Sequence, residues 1–211
     1  MAVNMKAAVL TQQLHTGVIT NELQRELIRK SIHLLIAFVP LFASIHITGT
    51  MFLLGAGIIL YSYSEVRRKQ GKDFLFITRI TELASRDKDR DRFVLGPVTL
   101  GLGAMLALLF YPEPAATIAI YALAFGDGFS SLAGKFLGGR QIPLTGGKTF
   151  VGSLTCFMAV FLVVEYVSGA GSIAIMIAFA AMILELLPSG DLDNIIIPAG
   201  TGFIAYKLLF V

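Results

Sequence analysis

Long apolar runs constrain this chain more than any motif in it. A backbone in lipid must satisfy its amides internally, and a helix that crosses a bilayer takes about 20 apolar residues, with about 17 a practical minimum. Seven runs meet that demand, near 32–48, 50–66, 93–111, 114–136, 150–168, 171–187 and 194–210. The chain is 55% hydrophobic, against roughly 45–50% for soluble domains. The expectation is an all-α, polytopic transmembrane helix bundle of about seven spans, a single integral membrane domain over 1–211. The lone cysteine, Cys156, excludes an intrachain disulfide framework. The first thirty residues lack the basic, apolar and small-residue series of a cleaved leader, so the N-terminus is expected to stay.

Charge placement orients the bundle. Of the seventeen Lys and Arg, all but Lys207 fall before the first run, between the second and third, or around Lys135, Arg140 and Lys148. On a seven-span path these positions share one face, and basic loops stay in the cytoplasm. The N-terminus is therefore expected to be cytoplasmic, with 1–31 an amphipathic cytoplasmic segment and 67–92 a cytoplasmic loop. That loop contains "DFLFITRITELAS", where Phe74, Ile77, Ile80 and Leu83 recur at helical spacing opposite Arg79 and Glu82. Such a pattern suits a helix lying in the interface plane. The "RDKDRDR" that follows reads as a solvated linker.

Polar residues inside the apolar map mark candidate chemistry. In "ELQRELIRKSIH", Glu26, Arg29, Lys30 and His33 form one helical stripe leading into the first span. A snorkelling anchor, with His33 satisfied by a neighbouring helix, is the alternative reading. In "GDGFSSLAGK", Asp127 lies about 12 Å deeper than Lys135 at the helical rise per residue. Ser130, Ser131, Gly134 and Lys135 follow on its face, and Gly126 and Gly128 suit a kink beside it. A carboxylate at such depth costs about 2.5 kcal/mol or more, which points to a water- or ion-filled cavity; a packing Asp paired with another helix is the alternative. An Asn at 127 is expected to be tolerated by the fold.

"GGRQIPLTGGKTFVGS" is not a P-loop, because Ile142 stands where that pattern needs glycine and no strand precedes it. Its glycines, Arg140 and Lys148, opening a helix at Thr149, still offer amides and positive charge to a phosphate. In "ELLPSGDLDNIIIP", Glu185, Asp191, Asp193 and Asn194 gather oxygen ligands on a face where bases are expected, which suits Mg²⁺. An N-cap of the seventh helix by Asp191 or Asp193 accounts for one acid of the three.

The ordered set "RELIRKSIH", "EVRRK", "GDGFSSLAGKFLGG", "GGKTFVGS" and "ELLPSGDLDNIIIP" resembles the phytol kinase, dolichol kinase and CTP-dependent diacylglycerol kinase family, over about 26–198. Leu192 departs from that family's paired aspartates, whereas Asp193 and Asn194 match. The resemblance implies a membrane kinase that phosphorylates a lipid alcohol (a polyprenol, phytol, dolichol or diacylglycerol) at the cytoplasmic face, with CTP as donor and Mg²⁺ as cofactor. The partners so implied are a lipid alcohol and a nucleotide, with no nucleic acid and with a homo-oligomer allowed; the expected setting is a prokaryotic cytoplasmic membrane. Asp127, Glu185, His33 and Lys148 are the catalytic candidates, and Asp127, Asp193 and Glu185 the metal ligands. Arg29, Lys30, Ser131, Lys135, Arg140, Gly146, Gly147, Lys148, Thr149 and Asn194 are the nucleotide-binding candidates. Two rivals stand beside this reading: transfer of CMP to a lipid phosphate, as in the related phosphatidate cytidylyltransferases, and a non-enzymatic transporter with an ion site at Asp127.

The topology makes a direct prediction. Cysteines introduced at Arg140 and Ser189 should react with an impermeant thiol reagent from the face that holds the N-terminus, and one at Pro112 from the other face. Reaction of all three from one side would break the seven-span path.

Overall fold

Helix α1 (22–34) tightens into a 3-10 turn at Leu35–Phe38 and runs on as α2 (Val39–Lys69). The computed structural model of the protein describes residues 22–85, 89 and 92–211, so the start of the expected N-terminal segment and most of "RDKDRDR" lie outside the described residues. The connection between the first two expected spans is not at "TGT", where the backbone is helical. It lies at His46, whose φ of −156° and ψ of 91° interrupt α2. The imidazole Nδ1 accepts the Gly49 N–H at 2.8 Å, so a side chain caps the new helix and the chain restarts without a loop. Both halves of α2 turn large side chains such as Phe42, Ile45, Phe52 and Ile59 outward, as lipid contact requires.

Helices α3 (Ile77–Ala84), α4 (Gly96–Phe110) and α5 (Ala115–Tyr121) follow. A π-turn at Ala122–Asp127 joins α5 to α6 (Gly128–Phe136), and then come α7 (Phe150–Ser168), α8 (Gly171–Leu186), a 3-10 turn at Gly190–Leu192 and α9 (Asp193–Phe210). All seven runs read as spans are helical, and no strand occurs among the described residues. Glu22–Lys69, Ala115–Phe136 and Phe150–Ser168 are long and apolar enough to cross a bilayer, the first containing two of the expected spans. Helices α4 and α8, with 15 and 16 residues, are apolar but shorter.

The α5 stretch is the hub. Ile118 packs with Val160, Val164, Ile177 and Ile197 of α7, α8 and α9, while Ile120 and Leu123 pack with Ile36, Val39 and Leu100 of the opposite half. Alanines fill much of this core, including Ala104, Ala107, Ala119, Ala178 and Ala181. Small side chains are what let helices approach closely where no hydrophobic effect drives association.

The α4–α9 contact shows the principle at one residue. Pro198 has no N–H for the carbonyl of Asn194 one turn earlier. An added Cβ on Gly103 would overlap that carbonyl oxygen and lie 3.2 Å from Pro198 Cγ. The obstacle is backbone, so it cannot rotate away. Gly103→Ala should therefore destabilise the bundle by about 1–3 kcal/mol, outweighing the gain in helix propensity. Thermal unfolding in detergent measures this, and an unchanged Tm would refute the close approach.

Candidate functional site

The four polar clusters converge on one cavity of about 670 Å³. Its lining includes Arg29, Lys30 and His33 of α1, Asp127, Ser130, Ser131 and Lys135 of the π-turn and α6, Gly146 to Thr149 of the following loop, and Glu185, Asp193 and Asn194 around the α8–α9 connection.

The deepest element is the π-turn. The extra residue it inserts relaxes the α5–α6 path between Gly126 and Gly128, where a kink was expected, and leaves Asp127 buried. Lys30 Nζ donates to Asp127 Oδ2 at 2.5 Å, and His33 Nε2 lies 3.3 Å from the same oxygen. His33 Nε2 also stands 2.8 Å from the carbonyl oxygen of Leu123. One turn outward, the buried Glu26 accepts from Arg29 at 2.5 Å and from Lys135 at 2.9 Å. The α1 stripe is thus bonded to positions 123, 127 and 135 in succession, which fastens α1 along the π-turn and α6. The expectation that the fold tolerates Asn at 127 runs against this geometry, because Lys30 would be left buried without its counter-charge.

On the other side, Lys148 Nζ stands 3.3 Å from Glu185 Oε1 and 3.4 Å from Asp193 Oδ2. Ser130 Oγ donates to Glu185 Oε1 at 3.3 Å, and Ser189 donates to Asp193. Glu185 Oε2 and Arg29 Nε are buried with no hydrogen-bond partner. Both atoms belong to residues that line the cavity; Arg67 Nε, Glu165 Oε2 and Thr201 Oγ1 are likewise without a hydrogen-bond partner outside it.

The loop that carries Lys148 is held from both ends. Ile142 N–H donates to Lys148 O at 2.8 Å and Phe150 N–H to Arg140 O at 3.2 Å. Gly146 and Gly147 take φ of 70° and 96°, left-handed values that a side chain would resist. Thr149 caps α7 by accepting the Gly152 N–H at 3.1 Å. Gly152 in turn packs so closely on α6 that a Cβ there would lie 2.8 Å from Ser130 O. The "KTFVGS" spacing therefore sets α7 against the helix that carries Ser130.

Several sequence expectations are corrected. Arg140 is exposed and does not line the cavity. Asn194 lines it but spends its amide on Gly96 O at 3.2 Å and Thr99 Oγ1 at 2.9 Å, which joins α9 to α4. Lys148, expected to offer its charge to a phosphate, is already paired with two carboxylates, and its side chain is 21% exposed. Among the described residues no three His, Cys, Asp or Glu side chains gather to hold a metal, so the expected set of Asp127, Asp193 and Glu185 is not assembled as one cluster.

The sequence reading expected a helix at α3 but not its hydroxyl face. Its apolar Ile80 and Leu83 are exposed, whereas Thr78, Thr81 and Ser85 are buried, and Thr81 and Ser85 line the cavity. The hydroxyl spacing of three and four residues was the available signal. Tyr61 OH donates to Val94 O at 3.0 Å, and Val94 N–H donates to Glu65 Oε1 at 2.8 Å while Arg68 pairs with the same carboxylate at 2.7 Å. The "EVRRK" segment thereby anchors the chain's return into α4 beside the cavity.

Comparison with known proteins places the chain among similar sequences. It is 25% identical over 208 residues to a probable chloroplastic phytol kinase of Triticum aestivum, covering 88% of this chain and 68% of that protein. It is 24% identical over 147 residues to probable phytol kinase 1, chloroplastic, of Oryza sativa subsp. japonica, covering 61% of this chain and 47% of that one. It is 25% identical over 140 residues to phytol kinase 1, chloroplastic, of Arabidopsis thaliana, covering 58% and 46%. The chain thus spans about two thirds of the wheat relative and about half of the other two. No family model and no solved structure matches. The family expected from the motifs is the one for which these relatives are named. Their chloroplastic names lend no support to a prokaryotic membrane.

The Lys30–Asp127 pair yields a stability prediction. Removing one partner of a buried pair costs about 3–5 kcal/mol because the other charge is left uncompensated. Lys30→Met and Asp127→Asn should each lower the Tm in detergent markedly, and the double variant should lose much less than the sum. Additive losses would show that the two groups do not hold each other.

Proposed function

We propose that this relative of the phytol kinases is a membrane-embedded kinase that transfers the γ-phosphoryl group of a nucleoside triphosphate, CTP by family resemblance, to the hydroxyl of a lipid alcohol. The observation that carries this reading is the convergence of Arg29, Lys30, Lys135 and Lys148 with Asp127, Glu185 and Asp193 on one cavity within an apolar helix bundle. The names of the relatives support the acceptor class.

Phosphoryl transfer asks a protein chiefly for positioning and charge neutralisation. Lys135 and Lys148, with Arg29, supply cations for the phosphates, and the Gly146–Gly147 turn brings backbone amides alongside them. Each of these cations already has a carboxylate partner, so a triphosphate takes over partners that the protein holds in place.

Mg²⁺ fits the Glu185–Asp193 pair. Both carboxylates come within 3.4 Å of the Lys148 ammonium, so they already converge on a cationic group, and Glu185 keeps an unpartnered oxygen. One or two carboxylates plus substrate phosphates is the usual protein share of a Mg²⁺ shell. The ion would neutralise charge on the transferring phosphate. Asp127, taken by Lys30 and His33, does not fit that shell; it is the candidate to receive the alcohol's proton. In the proposed step the alcohol oxygen bonds to the γ-phosphorus, the bond from that phosphorus to the β–γ bridging oxygen breaks, and the nucleoside diphosphate leaves. The site is proposed to face the side on which the basic loops collect, the cytoplasmic side by the positive-inside rule.

Label placement tests the reaction. Purified protein in lipid micelles, given CTP or ATP and phytol, a polyprenol or diacylglycerol, should move a γ-label to an alcohol. An α-label retained on lipid would instead mean nucleotidyl transfer. Lys148→Ala should raise the apparent KM for nucleotide about ten- to hundredfold, the equivalent of about 1.5–3 kcal/mol for a hydrogen bond to a charged group. An unmoved KM would remove Lys148 from the nucleotide site.

A further inference from the structure

Apart from Asp89 on the α3–α4 connection, the cavity lining is divided by charge. Helices α2, α3 and α4 contribute Tyr61, Ile80, Thr81, Ala84, Gly96, Pro97 and Leu100, none of them charged. The cations and the paired carboxylates come from α1, α6, the Lys148 loop and the α8–α9 connection. An alkyl chain laid on the second group would desolvate ions without replacing their partners, which is costly. The first group carries no such cost.

Among the large hydrophobic side chains exposed at the surface, Ile80 also lines the cavity. It therefore connects the interior with the outer apolar side of α3 and the turn before it, where Leu83, and Leu75 and Phe76, are exposed. Beside it lies a second cleft of about 240 Å³, bordered by Ile28 of α1 and Leu83 of α3 together with Gln24, Arg25 and Glu82, so its apolar part is the Ile28–Leu83 edge. Ile28 and Ile32 lie one helical turn apart on α1, so both hollows straddle the same α1–α3 seam. The helix thus keeps hydroxyls toward the site and apolar groups toward the bilayer, with Ile80 at the boundary.

We propose that the α1–α3 seam at Ile80 is the lateral port through which the hydrocarbon chain of the alcohol acceptor leaves the cavity, with Ala84 on the same helix limiting its bulk. This assignment rests on the kinase reading above. The hydroxyl lies inward, past Thr81 and toward Asp127, and the chain returns to lipid over Ile80. The occupant is a single long isoprenoid or alkyl chain bearing a terminal hydroxyl.

Ile80→Cys gives a readout that does not depend on catalysis, because the native thiol, Cys156, is buried. Labelling of Ile80→Cys by a maleimide in detergent should slow about tenfold when phytol is present at about ten times its apparent Kd, since the port is then free about a tenth of the time. A one-isoprene alcohol at the same concentration should give little protection. As a second measurement, Ala84→Trp should lower kcat/KM for phytol more than for the short alcohol, with nucleotide KM unmoved. Wild-type protein that phosphorylates no alcohol sinks the kinase reading. Wild-type protein that does so, with labelling unprotected by phytol and the long-to-short ratio unchanged in Ala84→Trp, sinks the port alone.

Discussion

The contact between Lys30 and Asp127 is the one on which the site depends. Both groups are buried, 97 residues apart in sequence, and joined at 2.5 Å. An isolated charge at that depth is expensive, and an opposite charge with a hydrogen bond is what makes it sustainable. The pair fixes the register of α1 against the π-turn, which His33 and Glu26 extend to Leu123 and Lys135. With α1 so placed, Arg29 reaches the cavity and Ile32 closes part of its lining. A shift of α1 by one turn would break all three contacts together.

Around that stripe, close helix contacts set the remaining groups. Gly152 lets α7 approach the Ser130 carbonyl, and Thr149 caps the same helix at the end of the Lys148 loop. Asn194 joins α9 to α4 through Thr99 and Gly96, so the neighbouring Asp193 is carried by a helix whose position is fixed. Lys148 and Asp193 are thus placed by two helix packings, α7 on α6 and α9 on α4, and by the cap that opens α7. Preorganisation of this kind keeps the reorganisation cost of binding a polyanion low.

Much of the fold was legible because lipid imposes a length rule that shows directly in the sequence. The seven helical runs, the helix at α3 and the grouping of Asp127, Lys148, Glu185 and Asp193 around one cavity all follow from apolar length, helical periodicity and motif order. What escaped was pairing. Nothing local in "GDGF" says that Lys30 neutralises Asp127, or in "DLDN" that the Asn194 amide turns toward α4. His46 was passed over because an imidazole cap leaves no loop-like composition to read. Helix α3 was read by its apolar stripe, although its hydroxyls form the buried face: Thr78 and Thr81 turn inward and Ile80 and Leu83 outward. Arg140 shows the limit of charge counting, since a basic residue directly after a glycine pair can point away from the cavity its neighbours line.

Stability alone does not account for keeping charges in this place. Well-packed apolar side chains of similar volume often serve as well as a buried ion pair, or better by about 1–4 kcal/mol. A bundle already rich in Ala, Ile and Val had such replacements at hand at positions 30 and 127. Retaining Lys30, His33 and Asp127 there makes sense if the groups have work that a methyl group cannot do: a proton to accept, or a phosphate to neutralise. The buried Arg29 Nε and Glu185 Oε2, each without a partner, argue in the same direction, since both leave unmet demand on the same cavity. A purely structural polar network would be expected to close its own hydrogen bonds. This one is closed at Lys30, His33 and Glu26 but leaves Arg29 and Glu185, two residues that line the cavity, each with an atom to spare, which is the arrangement a site needs if its last partners are to come from a bound group.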